Sequence, residues 1–183
     1  MRVNFFDVET LPVSPWRNGG GETREIACGT SDTGDFPWRA SIATIAQDGP
    51  FSAFPGIDRS ITLLTGDGVR LFDAGSLDHT LEAGEPFAFS GDVALRATLL
   101  GGSSRDFNIM TRRGQWAARV QRVTAPVALP TGHAGVVYVM HGDWHCEQAL
   151  RPGQGAWWEN GAGGELAPLT AGAVALWADI HPL

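Results

Sequence analysis

Apolar and polar residues alternate with a period of two through most of this chain, and no window shows the 3.6-residue period of a long helix. Trp38–Ile45 is the clearest case, since every second residue of it falls on the same face of an extended strand. Gly- and Pro-rich turns separate the alternating segments, which favours an all-β chain of many short strands. Strands are predicted over residues 3–8, 23–28, 38–45, 60–64, 69–72, 87–89, 93–100, 106–110, 116–123, 136–140, 144–147 and 173–177.

Repeated turns among these strands suggest an internal repeat. Gly66-Asp67 and Gly142-Asp143 each lie between two predicted strands, where they would form the turn of a β-hairpin. A Leu-x-Ala-Gly turn that leads into an apolar strand also occurs twice, at Leu81–Gly84 and at Leu169–Gly172. Two copies of a small β-unit predict two similar barrels or sandwiches in one chain.

The run Arg112–Gly114 is the best candidate for a boundary between the two copies. We therefore expect an N-terminal barrel over residues 1–113 and a C-terminal barrel over residues 114–183. The N-terminal strand is available to complete the second barrel, and the first barrel is expected to carry the ligand site.

The stretch Trp16–Ile26 has the composition of a ligand-binding turn. The three consecutive glycines Gly19–Gly21 are costly in backbone entropy, and folds retain such runs where the chain needs positive φ or a close backbone approach. Asn18 tolerates the left-handed region, and successive amides in a turn of this kind can hold an anion. The flanking side chains would supply an aromatic wall, two cations and a hydroxyl: Trp16, Arg17, Thr23 and Arg24. A long hairpin turn between two strands is the alternative interpretation.

Polar residues also share faces of two predicted strands. Arg39 and Ser41 point together, away from Trp38, and Asp106 and Asn108 share a face of a later strand. If these faces line a barrel interior, they form a polar patch of the kind that binds a ligand.

A turn-rich connection adds Phe51 and the adjacent pair Asp58 and Arg59. Barrel folds commonly place ligand contacts on such connections. The alternative is that Asp58 and Arg59 form a surface ion pair that plays no part in binding.

Composition narrows the classes of partner. The net charge of −7 and the pI near 5.1 argue against general binding to nucleic acids or anionic membranes. All 13 basic residues are arginine, so a Schiff-base lysine and a lysine general base are excluded. Arginine is also better suited than lysine to bidentate recognition of a carboxylate.

Cysteine usage and hydropathy predict a cytoplasmic protein. Cys28 and Cys146 lie far apart and match no metal-binding spacing, and no signal-like apolar segment follows Met1. No apolar stretch is long enough to cross a bilayer.

His141 and His145 invite a metal-site interpretation that their geometry disfavours. If Gly142-Asp143 is a two-residue hairpin turn, the two histidines occupy adjacent cross-strand pairs and face opposite sides of the ribbon. The sequence contains no Gly-x-Ser-x-Gly elbow, no P-loop and no Cys-x-x-Cys pair. We predict no metal, no cofactor and no catalytic residue.

Several long motifs, in order along the chain, closely resemble the HutD/Ves family. They are Trp-Arg-Asn-Gly-Gly-Gly-x-Thr-Arg-Glu-Ile at 16–26, Trp-Arg-x-Ser-x-Ala at 38–43, Asp-Gly-Pro-Phe-Ser-x-Phe-Pro-Gly-x-Asp-Arg at 48–59 and Leu-Leu-x-Gly at 63–66. Asp106–Met110 fits the family's Asp-x-Asn segment. The resemblance covers most of the chain and is strongest over residues 16–66.

The resemblance implies a bicupin, in which two cupin-like barrels share one chain. Ordinary cupins bind a metal through His-x-His and a later Glu and His, and neither half of this sequence carries those ligands. The HutD branch is associated with bacterial histidine utilisation, as a proposed regulator that senses an intermediate such as N-formylglutamate or urocanate. The Ves branch has a looser association with stress.

A small carboxylate is therefore the expected ligand, with Arg39 and Arg59 as its anchors. Two alternatives stay open: a metal-free cupin isomerase or hydrolase with Asp58 or Asp106 as its base, and a structural or partner-binding protein. A homodimer is expected, because seven tryptophans exceed what the core of a small monomer needs. The predicted ligand-binding residues are Asn18, Gly19, Gly20, Gly21, Thr23, Arg24, Arg39, Ser41, Phe51, Asp58, Arg59, Asp106 and Asn108.

Overall fold

The computed structural model describes residues 2–183 and confirms an all-β chain. In chain order its strands are β1 (Asn4–Asp7), β2 (Val13–Pro15), β3 (Gly21–Cys28), β4 (Trp38–Ile45), β5 (Gly49–Phe51), β6 (Ile57–Thr65), β7 (Val69–Phe72), β8 (Asp78–Leu81), β9 (Phe87–Ser90), β10 (Leu95–Leu99), β11 (Ser104–Arg112), β12 (Trp116–Val123), β13 (Val127–Ala128), β14 (Ala134–His141), β15 (Trp144–Cys146), β16 (Gln148–Leu150), β17 (Gln154–Trp158), β18 (Glu165–Pro168) and β19 (Val174–Pro182). A single 3₁₀ turn, Val8–Thr10, is the only helical element in this part of the chain, and its N-cap Asp7 accepts a hydrogen bond from the Glu9 amide. Residues 2–183 contain no helix with the length and apolar character needed to span a membrane.

The strands group into two compact units. One unit is Pro12–Arg113, and the other combines residues 2–11 with Gly114–Leu183. The first contains a six-stranded sheet in the order β2-β3-β4-β11-β6-β9 and a four-stranded sheet in the order β5-β10-β7-β8. The second contains a five-stranded sheet in the order β1-β17-β14-β19-β12 and a four-stranded sheet in the order β13-β18-β15-β16.

Each unit has its own apolar core, formed by the inward-facing residues of its alternating strands. The core of Pro12–Arg113 is composed of Ile45, Phe51, Ile61, Leu63, Val69, Leu71, Leu81, Phe89, Leu95 and Ala97. The core of the other unit is composed of Leu129, Val137, Val139, Trp144, Cys146, Leu150, Ala156, Trp158, Leu166, Ala173, Ala175 and Trp177. The cores thus follow the period-two pattern that the sequence shows.

The two hairpins expected around Gly66-Asp67 and Gly142-Asp143 do not form. β6 and β7 lie in different sheets, and so do β14 and β15. The physical reason is that both edges of β6 are already occupied by β11 and β9, and both edges of β14 by β17 and β19. Gly66 and Gly142, both at positive φ, instead lead the chain from one sheet to the other.

The two units repeat the same strand order, although the repeat aligns differently from the one suggested by the Leu-x-Ala-Gly turns. The series β4-β11-β6-β9 in the first unit corresponds to β12-β19-β14-β17 in the second. Gly84 and Gly153 occupy equivalent turns, since their amides donate at 2.9 Å to the carbonyls of Leu63 and Val139 respectively. The segment Leu81–Gly84 therefore matches residues 150–153, and Leu169–Gly172 precedes a different strand of the repeat.

Candidate ligand-binding site

A cavity of about 410 Å³ opens within the unit Pro12–Arg113. Its lining combines apolar and aromatic walls with a few polar and cationic groups, which is the usual character of a small-molecule site. The lining residues are Pro15, Trp16, Arg17, Asn18, Thr23, Arg39, Ser41, Ala43, Pro50, Phe51, Ser52, Phe54, Arg59, Asn108 and Met110. Seven of the predicted ligand-binding residues are among them: Asn18, Thr23, Arg39, Ser41, Phe51, Arg59 and Asn108.

The register of β4, β11 and β6 arranges the cavity face in rows across the sheet. In one row, Met110 on β11 lies between Arg39 on β4 and Arg59 on β6, so that the two arginines flank the same residue. The next row places Asn108 between Ser41 and Ile61. Residues two apart on a strand share a face and are separated by roughly 7 Å, so a cationic row is followed by a neutral polar row.

A third row continues this face, and of its members only Ala43 lines the cavity. It places Asp106 between Ala43 on β4 and Leu63 on β6. Three successive side chains on this face of β11 therefore differ in character. Met110 is flanked by two arginines, Asn108 carries an amide, and Asp106 carries a carboxyl group.

Arg59 is the most unusual group in the cavity, because it is a buried cation without a carboxylate partner. Its residue is 7% exposed, its Nη1 donates to the Ser52 carbonyl oxygen at 3.1 Å, and its Nε has no hydrogen-bond partner within residues 2–183. Burial is the larger cause and repulsion from Arg39 the smaller cause of a lowered pKa of Arg59, which is about 10. The Arg59 guanidinium is therefore still charged at neutral pH.

Three phenylalanine rings surround the Arg59 guanidinium. Its central carbon lies 4.8 Å from the ring centroid of Phe51 and 5.0 Å from those of Phe54 and Phe89. The ring faces stabilise the cation, and they also keep water away from it. An anion that reaches Arg59 would therefore meet it in surroundings of low polarity, where their attraction is strong.

Arg39 is the second cation, and it is partly neutralised. Its Nε donates to Glu25 Oε1 at 2.9 Å, and both side chains are partly exposed. The Arg39 guanidinium makes no other hydrogen bond within residues 2–183. Both Nη groups of Arg39 are thus available to a ligand.

A hydrogen bond holds the Trp16 side of the cavity in place. Trp16 Nε1 donates to Thr23 Oγ1 at 2.8 Å, and the Trp16 ring packs edge-on against Phe51 with centroids 6.2 Å apart. Thr23 therefore orients the aromatic wall, and its hydroxyl oxygen is already engaged.

The glycine run forms the turn between β2 and β3 and does not line the cavity. The Gly19 amide donates to the Trp16 carbonyl at 3.1 Å, and the Gly20 amide donates to Asn18 Oδ1 at 2.8 Å. A Cβ on Gly21 would lie 2.2 Å from the Thr44 carbonyl oxygen. The Gly19 and Gly20 amides donate within the turn, and Gly21 begins β3 outside the cavity lining, so the anion-binding role expected for Gly19, Gly20 and Gly21 has no geometric support.

Arg24 and Asp58 lie outside the cavity lining because each is on the opposite face of its strand from the residues that line it. Arg24 follows Thr23 on β3 and lies 3.7 Å from Glu22. Asp58 precedes Arg59 on β6, is exposed, and accepts a hydrogen bond from Arg113 Nε at 2.8 Å. The suggested ion pair between Asp58 and Arg59 is absent, since Asp58 pairs with Arg113.

Asp106 is fully buried and also lies outside the lining. Its Oδ2 accepts a hydrogen bond from the Ser104 hydroxyl at 3.0 Å, and its Oδ1 has no partner within residues 2–183. Burial raises the pKa of Asp106 to about 7, and the Ser104 hydrogen bond opposes that rise only in part.

Sequence reasoning missed several residues that line the cavity. Phe54 and Met110 carried a signal, since Phe54 belongs to the same turn-rich connection as Phe51 and Met110 shares a strand face with Asn108. Ser52 carried none, because it holds Arg59 through its backbone carbonyl.

His141 and His145, which were predicted to face opposite sides of one hairpin, are both exposed. His141 ends β14 and His145 lies in β15, in the other sheet of the unit. Among residues 2–183, no group of three or more His, Cys, Asp or Glu side chains is placed to hold a metal ion.

Comparison with known proteins adds independent findings. The HutD family model matches residues 8–177. Protein Ves from Cronobacter sakazakii (strain ATCC BAA-894) is 45% identical over 162 residues, which cover 87% of this chain and 89% of that protein. The solved structure of HutD from Pseudomonas fluorescens SBW25 superposes with a TM-score of 0.87 at 26% identity and covers all of both chains.

A second solved structure agrees with the first. A conserved protein of unknown function from Pseudomonas aeruginosa PAO1 gives a TM-score of 0.85 at 30% identity, over 99% of this chain and 100% of that one. The fold is accordingly cupin-like. Because the family model spans nearly the whole chain and a relative is 45% identical across most of both proteins, this chain belongs to the HutD family.

Proposed function

We propose that this protein binds a small carboxylate without a metal and regulates bacterial histidine utilisation by sensing an intermediate such as N-formylglutamate or urocanate. The observation that carries the proposal is Arg59, a buried cation at the cavity with no carboxylate partner among residues 2–183. A buried charge without a counter-ion destabilises a fold, and a ligand carboxylate would supply the missing anion.

The energetics suit a metabolite sensor. Hydrogen bonds between charged groups contribute about 1.5–3 kcal/mol each, and the phenylalanine rings around Arg59 exclude the water that would weaken them. Arg39 adds a second cation in the same row, with both of its Nη groups available. Two such contacts contribute about 3–6 kcal/mol, a large part of the roughly 8 kcal/mol that corresponds to micromolar affinity.

The cavity volume is compatible with a ligand of this size. About 410 Å³ lies near the lower end of the range of roughly 300–1,000 Å³ for small-molecule sites. N-formylglutamate offers two carboxylates and urocanate one, so each can meet Arg59, and N-formylglutamate can also reach Arg39.

The proposal also covers the barrel architecture of the two units and the cellular location of the protein. We infer that each unit is a cupin-like barrel, which makes the chain a bicupin, and the repeated strand order of the two units supports this inference. We also propose that the protein acts in the cytoplasm, as its sequence predicts, because Cys28 and Cys146 lie far apart and match no metal-binding spacing.

A metal-free enzyme acting on the same acid is the second candidate. It is favoured by Asp106, a carboxyl group with a pKa near neutrality one row beyond the cavity-lining Asn108. Asp58, the other base considered, is exposed and paired with Arg113. Incubation of the protein with N-formylglutamate and with urocanate separates the candidates, because turnover supports the enzyme and saturable binding without turnover supports the sensor. Failure to bind either acid would favour the third alternative, a structural or partner-binding protein.

Isothermal titration calorimetry with variants of Arg59 tests the proposal directly. Arg59→Met retains a long side chain among the phenylalanine rings but removes the charge. It should weaken binding of N-formylglutamate by about 2 kcal/mol, roughly thirtyfold, and Arg39→Ala should have an effect of similar size. The melting temperature of Arg59→Met should equal or exceed that of the wild type, because a buried cation has been removed.

Arg151→Ala is the matched control, since Arg151 is an exposed arginine of the other unit. Its binding should equal that of the wild type. Wild-type affinity in Arg59→Met, or weakened binding in Arg151→Ala, would show that the cavity around Arg59 is not the site.

A further inference from the structure

We propose that Asn108 makes the site selective for carboxylates that also carry an N–H or O–H donor, such as N-acylated amino acids. This inference rests on the proposed carboxylate-binding function and specifies the class of ligand. It concerns the row next to Arg39 and Arg59, where Asn108 lies between Ser41 and Ile61.

The Asn108 amide is oriented by its own strand. It is 4% exposed and lines the cavity, and its Nδ2 donates to the carbonyl oxygen of Asp106 at 3.3 Å. Reversing the amide would bring Oδ1 against that carbonyl, so that two acceptors would face each other. The amide orientation is therefore determined, and Oδ1 is the atom left for another partner.

Asn108 Oδ1 has no hydrogen-bond partner anywhere in residues 2–183. Buried side-chain acceptors are nearly always paired, and an unpaired one at a ligand cavity indicates a donor that the ligand supplies. This atom is a carbonyl oxygen, which only accepts hydrogen bonds, so its partner has to donate one.

The neighbours of Asn108 on the cavity face leave this acceptor unsatisfied. Ile61 across β6 and Met110 along β11 have no donor on their side chains. Asp106, two residues away, has an unpaired acceptor of its own in Oδ1. Ser41 across β4 is the nearest hydroxyl by register, and it makes no hydrogen bond to Asn108 in this structure.

The row spacing indicates how the ligand lies. Its carboxylate meets Arg59, and its donor points along β11 toward Asn108, roughly 7 Å further along the strand at the backbone. Because both side chains reach into the cavity, a donor a few bonds from the carboxylate can contact Asn108. The amide N–H of an N-acyl amino acid meets this requirement, whereas a simple dicarboxylate has only acceptors.

A pair of ligands that differ in one atom tests the inference by calorimetry. N-acetyl-L-glutamate and (S)-2-acetoxyglutarate have the same shape, but the amide N–H of the first is an ester oxygen in the second. The wild-type protein should bind the amide at least about tenfold more tightly, since a site with a buried acceptor rejects an analogue that lacks the donor. The comparison needs no variant, so it does not depend on how a substitution folds.

Two variants then assign the preference to Asn108. Asn108→Leu removes the acceptor at similar size and should reduce the preference to within about twofold, mainly through weaker binding of the amide. Ser60→Ala is the matched control and should retain the wild-type preference, because Ser60 lies on the opposite face of β6 from Arg59 and outside the cavity lining. Circular dichroism establishes that both variants are folded.

Three results would overturn the inference. Equal affinity of the wild type for the two ligands would show that an internal donor, from Ser41 or a protonated Asp106, satisfies Oδ1. A full preference in Asn108→Leu would place the selective group elsewhere. Absence of binding by either ligand at millimolar concentration would remove the carboxylate-binding proposal together with this inference, whereas in the first two cases the ester still binds and the proposed function stands.

Discussion

Asp106 should make the stability of this protein fall as the pH rises from about 3.8 to about 7. The carboxyl group is fully buried, one of its oxygens has no partner within residues 2–183, and its pKa is raised from 3.8 to about 7 by burial. No cation pairs with it in the described chain, and only the Ser104 hydroxyl donates to it. The ionised form is therefore disfavoured in the folded protein relative to the unfolded chain.

The sign and size follow from proton linkage. Below about pH 3.8 the group is protonated in both states, so it causes no loss of stability. Between about 3.8 and 7 the unfolded chain releases this proton while the folded protein keeps it, and the free energy of unfolding decreases by up to about 1.4 kcal/mol per pH unit. Above pH 7 both states are ionised, and the full loss is about 4 kcal/mol.

Asp106→Asn keeps the shape of the side chain and is neutral at every pH, so it should relieve this loss. Urea unfolding followed by tryptophan fluorescence, for both proteins at each pH from 5 to 8, cancels the contributions of the other titrating groups. The advantage of Asp106→Asn should grow by roughly 2.5 kcal/mol across that range. Direct carbon NMR titration of the wild-type Asp106 carboxyl should show a midpoint near 7.

Asp92 provides a control of opposite sign. Its pKa is held below the ordinary value by the Gly56 amide and by Arg113, so its favourable contribution is present at neutral pH and is lost as the pH falls through its folded pKa. Asp92→Asn should thus be the less stable protein at neutral pH and lose that disadvantage in acid. An advantage of Asp106→Asn that stayed constant from pH 5 to 8 would refute the reasoning for Asp106.

Two further predictions concern the glycine turn and metals. Gly21→Ala should destabilise the protein by about 3 kcal/mol or more in urea unfolding, because the new Cβ would meet the Thr44 carbonyl oxygen at 2.2 Å. Gly19→Ala should cost only about 1 kcal/mol, because a Cβ there has open space and only the φ of +75° is unfavourable. Equal costs at the two positions would contradict this account of the turn. Chelators should leave the melting temperature unchanged, and elemental analysis should find no stoichiometric metal; about one zinc, iron or manganese per chain would contradict the prediction and direct attention to His141 and His145.

Alternation along the sequence was sufficient to predict the all-β class and the facing of individual side chains. On β4 it placed Arg39 and Ser41 on one face and Trp38 on the other, and the structure shows Arg39 and Ser41 at the cavity and Trp38 outside its lining. The prediction succeeds because a strand has a strict period of two, which depends only on the local backbone. The long motifs at 16–26 and 48–59 were similarly sufficient to identify the family, which the HutD family model confirms.

Only the tertiary structure decided which strands pair and which side chains meet. Arg39 and Arg59 share a row because β4 and β6 both pair with β11, an arrangement set by long-range register that no local pattern encodes. The same cause explains the failed hairpins, since β6 and β14 were already paired on both edges.

Burial and hydrogen-bond partners were also outside the reach of the sequence. The adjacent residues Asp58 and Arg59 looked like an ion pair, yet they point to opposite faces of β6, which leaves Arg59 among phenylalanine rings and Asp58 beside Arg113. The glycine amides looked available to an anion, but those of Gly19 and Gly20 donate within their own turn. The sequence by itself thus determined the class of fold and the family, while the charge left unpaired in the cavity was decided by packing across strands that lie far apart in the chain.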